Sequence, residues 1–118
     1  MKSEQYQIIN KNKLIAEFMG LETATFIPSG HLNYYHKEHN SGTWYEVHEL
    51  SYNLSWDWLM PVVEKIENFG FEIIIAESRC KIKHNTDHSI KELLNLEIMG
   101  SKIDVTYRAV VEFINQNK

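Results

Sequence analysis

The residues of this chain best suited to chemistry are its histidines. His31, His36 and His39 fall within nine residues, with Glu38 among them. Imidazole nitrogens and a carboxylate are ligands for zinc or nickel, so the segment is a candidate metal site for a metal-dependent enzyme. The spacing matches no standard zinc motif, however, and the neighbouring residues read as a solvated hairpin. His84 and His88 stand four apart, but Asn85-Thr86-Asp87 makes a turn between them, where the HExxH arrangement needs a helix and a glutamate. Cys80 is the sole cysteine, which excludes an intramolecular disulfide and a multi-cysteine zinc site and fits a reducing compartment. Arg79 and Lys81 flank it and would favour a thiolate at an exposed position; the alternation of its strand predicts burial and an inert thiol.

Binding chemistry has a second source. Seven of the 14 aromatic residues lie between positions 34 and 58: Tyr34, Tyr35, Trp44, Tyr45, Tyr52, Trp56 and Trp58. Such density builds a stacking surface for a planar ligand, a protein interface, or simply core and sheet cover. Arg79 and Arg108 are the only arginines. Two guanidinium groups facing one cleft would grip a phosphate or carboxylate; solvated surface positions are the plainer reading. No nucleophile–base pair, glycine-rich phosphate loop or carboxylate pair stands out, so the chain reads as a non-enzyme without a cofactor.

Composition narrows the classes. The chain has 118 residues, 43% hydrophobic content and a net charge of −4, the size of one domain with its own core. An acidic, mixed surface argues against a general nucleic-acid binder. No apolar run approaches the roughly 20 residues that span a bilayer, and no signal peptide opens the sequence, so a cytoplasmic protein is expected.

The elements that must position these groups are organised around Ser55–Gly70. Ser55 reads as a helix N-cap whose hydroxyl accepts from the first turn, and Asp57 complements the helix dipole. Trp56, Leu59, Val62, Val63, Ile66 and Phe69 form an apolar stripe, and Gly70 ends it. Pro61 lies beyond the first turn and removes a backbone hydrogen bond, which predicts a kink in the helix there, the alternative being a separate tight turn over Trp56–Met60.

Before this helix, Met1–Asn10 reads as a flexible leader and Asn10 or Asn12 as the cap of a short helix ending at Gly20. Leu21–Gly30 reads as an irregular connector, and Leu32–His36 and Thr43–Leu50 as a hairpin. After it, Phe71–Glu77 reads as a central strand because three isoleucines are consecutive, and Cys80–His84 as its neighbour. Ser89–Met99 fits a short helix with an extended end or a strand. Ser101 opens a last helix, with Asp104 placed for a capping box. The expected fold is therefore α+β: a single domain over residues 1–118, with an antiparallel sheet of about four strands packed with helices in an α/β/α sandwich-like layering.

Three segments, Asn12–Gly20, Ser55–Phe71 and Ser101–Ile114, together resemble short proteins of bacteriophages and prophages, particularly those of gut Bacteroidota. Their arrangement is similar to the phage "ABA sandwich" group, in which a sheet lies between helices. The resemblance implies a fold and a phage origin in a bacterial host, and no active site. The functional expectation is a phage-encoded accessory binding protein that contacts a host or phage protein. The alternative is a sponge-like binder of a nucleotide-type ligand at an aromatic and arginine-lined cleft, at a homo-oligomer interface. A metal-dependent enzyme using His31, His36 and His39 is a further alternative.

Overall fold

Strand pairing in the computed structural model, which describes residues 2–25, 30, 32–36, 43–84, 92–97 and 100–117, builds two antiparallel sheets of three strands each. The α+β class and the antiparallel pairing match the sequence reading; the single sheet of about four strands does not. The sheets fall in two compact units, Met1–Ser51 and Tyr52–Lys118.

The first unit begins with α1, Lys2–Met19. The stretch read as a flexible leader is thus helical from Lys2, and Asn12 lies mid-helix instead of capping it. Ile15 and Ala16 are fully buried. Gly20 stops the helix at φ +72, with its N–H bonded to the Glu17 carbonyl and the Leu21 N–H to the Ala16 carbonyl, the paired pattern that glycine's left-handed conformation permits. Next come β1 (Glu22–Thr25), β2 (Leu32–His36) and β3 (Thr43–Glu46), in sheet order β1-β2-β3.

The β2–β3 hairpin was legible in the sequence; β1 was read as connector. Its Thr23 and Thr25 suit a strand, but four residues gain that conformation only by pairing with β2, Thr23 opposite Tyr34. The strand expected over Thr43–Leu50 stops at Glu46, because Val47–Glu49 forms a 3-10 turn. The Glu46 N–H donates to Glu49 Oε1 at 2.9 Å, and the Glu49 N–H returns a bond to the Glu46 side chain.

The second unit contains α2 (Trp56–Asn68), β4 (Phe71–Ile75), β5 (Arg79–His84), β6 (Glu92–Glu97) and α3 (Lys102–Gln116). α2 runs unbroken through Pro61, so no separate turn forms at Trp56–Met60. Ser55 occupies the N-cap position without a side-chain cap bond; its carbonyl accepts the Leu59 N–H at 3.0 Å. Trp58, Leu59, Val62, Val63 and Ile66 are buried, whereas Phe69, placed on the stripe by its spacing, is 61% exposed.

β4 lies at the edge of the sheet and β5 at its centre, reversing the expectation drawn from the three isoleucines. Ile73 is buried but Ile74 is 43% exposed. Within the ambiguous stretch over 89–99, the described residues Glu92–Glu97 form β6, which pairs with β5, Ile82 opposite Leu94; the helical reading fails over those residues. α2 packs on β4, α3 on β5 and β6, and the two helices on each other. Alternation along β4 and β5 gives them one face, with Ile73, Cys80 and Ile82 buried and the Phe71 ring edge-on to Phe113 at 4.9 Å. Glu72 and Lys83 point the other way and form an ion pair at 3.1 Å. Among the described residues, no helix is long and apolar enough to cross a membrane.

Candidate ligand cleft

Within the first unit, a cleft of about 540 Å³ opens between α1 and the β2–β3 side of the sheet. Ile9 and Lys13 stand one helical turn apart and so share a face of α1; Asn10 joins them. Leu32 and Tyr34 alternate onto one face of β2. Glu46, Val47 and His48 close the end of β3, and Gly30 completes the wall. The volume lies in the range of small-molecule sites, roughly 300–1,000 Å³, and the wall mixes aliphatic groups with a few polar ones, as such sites do.

Tyr34 is 2% exposed. Burial, and secondarily the Glu17 carboxylate, push its phenol upward, so it remains a neutral hydroxyl able to donate and accept. At the rim, His48 Nε2 lies 4.0 Å from Glu46 Oε2. One ligand atom each from Glu46, His48 and Glu49 fall within 4.8 Å of one another. The backbone of the 3-10 turn holds both carboxylates in this arrangement.

The aromatic residues singled out in the sequence are divided between the units. Tyr34 lines the cleft, with Tyr45 opposite it in register on β3. Tyr35 and Trp44 form a cross-strand pair on the other sheet face, ring centroids 5.0 Å apart and tilted by 45°; Trp44 is 37% exposed. In the second unit Tyr52 and Trp58 are core residues in edge contact at 5.2 Å, and Trp56 is half-buried at the start of α2. The stacking surface imagined from seven aromatics therefore reduces, in the first unit, to Tyr34 in the cleft and the Tyr35–Trp44 pair.

Arg79 and Arg108 do not share a cleft. Cys80 contacts Thr106 of α3, so alternation turns the adjacent Arg79 to the sheet face away from α3. Arg108 is exposed on α3, whose buried residues face the sheet. Cys80 itself is fully buried, and burial pushes its thiol up to about 11, against a smaller opposing effect of Thr106. This agrees with an inert thiol. His31, His39, Glu38 and His88 lie outside the described residues, while His36 and His84 close β2 and β5.

Sequence reasoning missed Ile9, Asn10, Lys13, Leu32, Glu46, Val47, His48 and Glu49 as site residues. One signal was present: Glu46, His48 and Glu49 place three ligand-type side chains in four positions. Read as an alternating strand, that stretch separates Glu49 from Glu46 and His48; the 3-10 turn gathers them. No protein-family model, curated protein or solved structure matches this chain.

Proposed function

We propose that the protein binds a small anionic, partly apolar molecule in the α1–β2 cleft and sequesters it without transforming it. The observation that carries this reading is the cleft itself. Ile9, Leu32 and Val47 offer an apolar wall, Asn10 and Tyr34 offer hydrogen bonds, and Lys13 supplies a cation for a phosphate or carboxylate. A nucleotide is one ligand of this class. Arg79 and Arg108 play no part in it. The sequence resemblance to phage proteins supports a setting in the cytoplasm of an infected bacterium, where nucleotide signals would be the ligands at hand.

The test is a thermal-shift screen of nucleoside phosphates and small carboxylates. A ligand at a hundred times its Kd stabilises the folded state by about 2.7 kcal/mol, a shift of several degrees for a chain of this size. Lys13→Glu should abolish the shift while leaving the free protein's Tm near wild type, since Lys13 is exposed. A panel without effect, or an equal shift in Lys13→Glu, sinks the reading.

The Tyr35–Trp44 pair favours a second reading, contact with a host or phage protein. Paired, partly exposed Trp and Tyr are the residue types that anchor protein interfaces. A partner captured from infected cells by the wild-type chain should be lost with Trp44→Ala; capture unchanged by that substitution removes the aromatic pair from the contact.

A further inference from the structure

We propose that the outer edge of β4 joins two copies of this chain, which pair their β4 strands antiparallel about a two-fold axis at Ile74. The sheet of the second unit gives β4 a neighbour, β5, on one side only. The hairpin fixes which backbone groups point the other way. The Ala76 N–H donates to the Arg79 carbonyl at 2.8 Å, so Ala76 and Arg79 are a hydrogen-bonded pair. By the alternation of an antiparallel ladder, Ile74 with Lys81 and Glu72 with Lys83 are hydrogen-bonded pairs too. Ile73 and Ile75 therefore turn their N–H and C=O groups away from β5, and no backbone group meets them there among the described residues. Edge strands are commonly blunted by lysine, proline or a bulge. Phe71–Ile75 has neither residue, its register with β5 is continuous, and its one charge, Glu72, is held by Lys83 at 3.1 Å.

Self-complementarity selects a second copy as the occupant. With the axis at Ile74, Ile73 of each chain lies opposite Ile75 of the other, and each such pair exchanges two backbone hydrogen bonds. Ile74, which shares the sheet face of Glu72 and is 43% exposed, falls opposite its own counterpart. That is a non-hydrogen-bonded pair, where facing side chains approach most closely, so each isoleucine covers the other. Glu72 then faces Ala76 of the second copy, and Lys81 flanks Ile74 on each side of the axis. Moving the axis to Glu72 would instead set carboxylate against carboxylate, so charge and apolar contact favour the same register. The contact is isologous and closes at two copies, with three strands from each in one continuous antiparallel sheet. It lies in the second unit and does not depend on a ligand in the cleft.

The experiment follows the full chain by analytical ultracentrifugation over a dilution series. The wild type should be a dimer that dissociates on dilution. Ile74→Glu places two carboxylates at the axis and should raise the dimer Kd at least about tenfold. Within its own sheet the new carboxylate faces Lys81, and an unchanged circular dichroism spectrum checks that the variant folds. Ile74→Cys reads the register directly. The Cα atoms of a non-hydrogen-bonded pair stand about 4.5 Å apart, within reach of a disulfide, so mild oxidation should link two chains. Leu54→Cys, at a position 76% exposed in the same unit, should link far more slowly, and the buried Cys80 does not compete. A monomer at every concentration overturns the proposal, as does a dimer that Ile74→Glu leaves intact. Linkage no faster at position 74 than at position 54 overturns it too. Slow amide exchange at Ile73 and Ile75 in a monomeric chain would show that the chain itself covers the edge, with the same consequence.

Discussion

Asn12 Nδ2 donates to the Leu50 backbone carbonyl at 2.9 Å, joining α1 to the end of the 3-10 turn across 38 residues of sequence. Both residues are 3% exposed, so water does not replace the bond if it is lost. It holds together two walls of the cleft.

Asn12→Ala should therefore destabilise the protein by about 1–3 kcal/mol, the cost of leaving a buried carbonyl unmet. Urea denaturation measures it. The same substitution should weaken any ligand that depends on the cleft, because α1 loses its tie to the turn that carries His48.

Tyr52 presents the opposite case. It is fully buried, and its hydroxyl has no partner among the described residues. Tyr52→Phe keeps the edge contact with Trp58 and removes the desolvated hydroxyl. It should be neutral or stabilising by up to about 1 kcal/mol. A loss above 1 kcal/mol in thermal or urea unfolding would show that the hydroxyl is satisfied.

Alkaline pH should weaken the fold through Cys80. Its thiol is held at about 11, against 9.0 when free. Near neutrality both states are protonated and the group contributes nothing. As pH rises past about 9, the unfolded chain loses its proton first and binds fewer protons than the native state. Stability therefore falls with pH until about 11, by at most ~1.4 kcal/mol per pH unit. Burial also raises Tyr52 and Tyr107, which steepens the loss above their ordinary value of 10.0. Urea midpoints from pH 7 to 10.5 should fall with this curvature, and Cys80→Ala should remove the component that begins near 9. Thiol reagents at pH 8 should modify Cys80 only on unfolding.

The start of α3 tests a feature read directly from sequence. The Asp104 N–H donates to Ser101 Oγ and the Ser101 N–H to Asp104 Oδ2, each at 3.3 Å. Ser101→Ala should cost about 1 kcal/mol. Because the two bonds form one motif, the double variant with Asp104→Ala should lose less than the two single losses added; full additivity in thermal unfolding would show that they act separately.

The sequence by itself determined the local features. The Ser101–Asp104 box, the stripe Leu59–Ile66 with Gly70 beyond it, and the β2–β3 and β4–β5 hairpins rest on caps, periodicity and turns that act within a few residues. Tertiary structure decided the features that depend on partners distant in sequence. β1 and β6 became strands by pairing with β2 and β5. Ile73–Ile75 lie at an edge because the order of strands is set by pairing, which a run of isoleucines does not encode. α1 extends back to Lys2, contributing Ile9 and Lys13 to the cleft. The cleft was illegible for the same reason: α1, β2 and the 3-10 turn meet through bonds such as Asn12–Leu50, and no local pattern in the chain records that meeting.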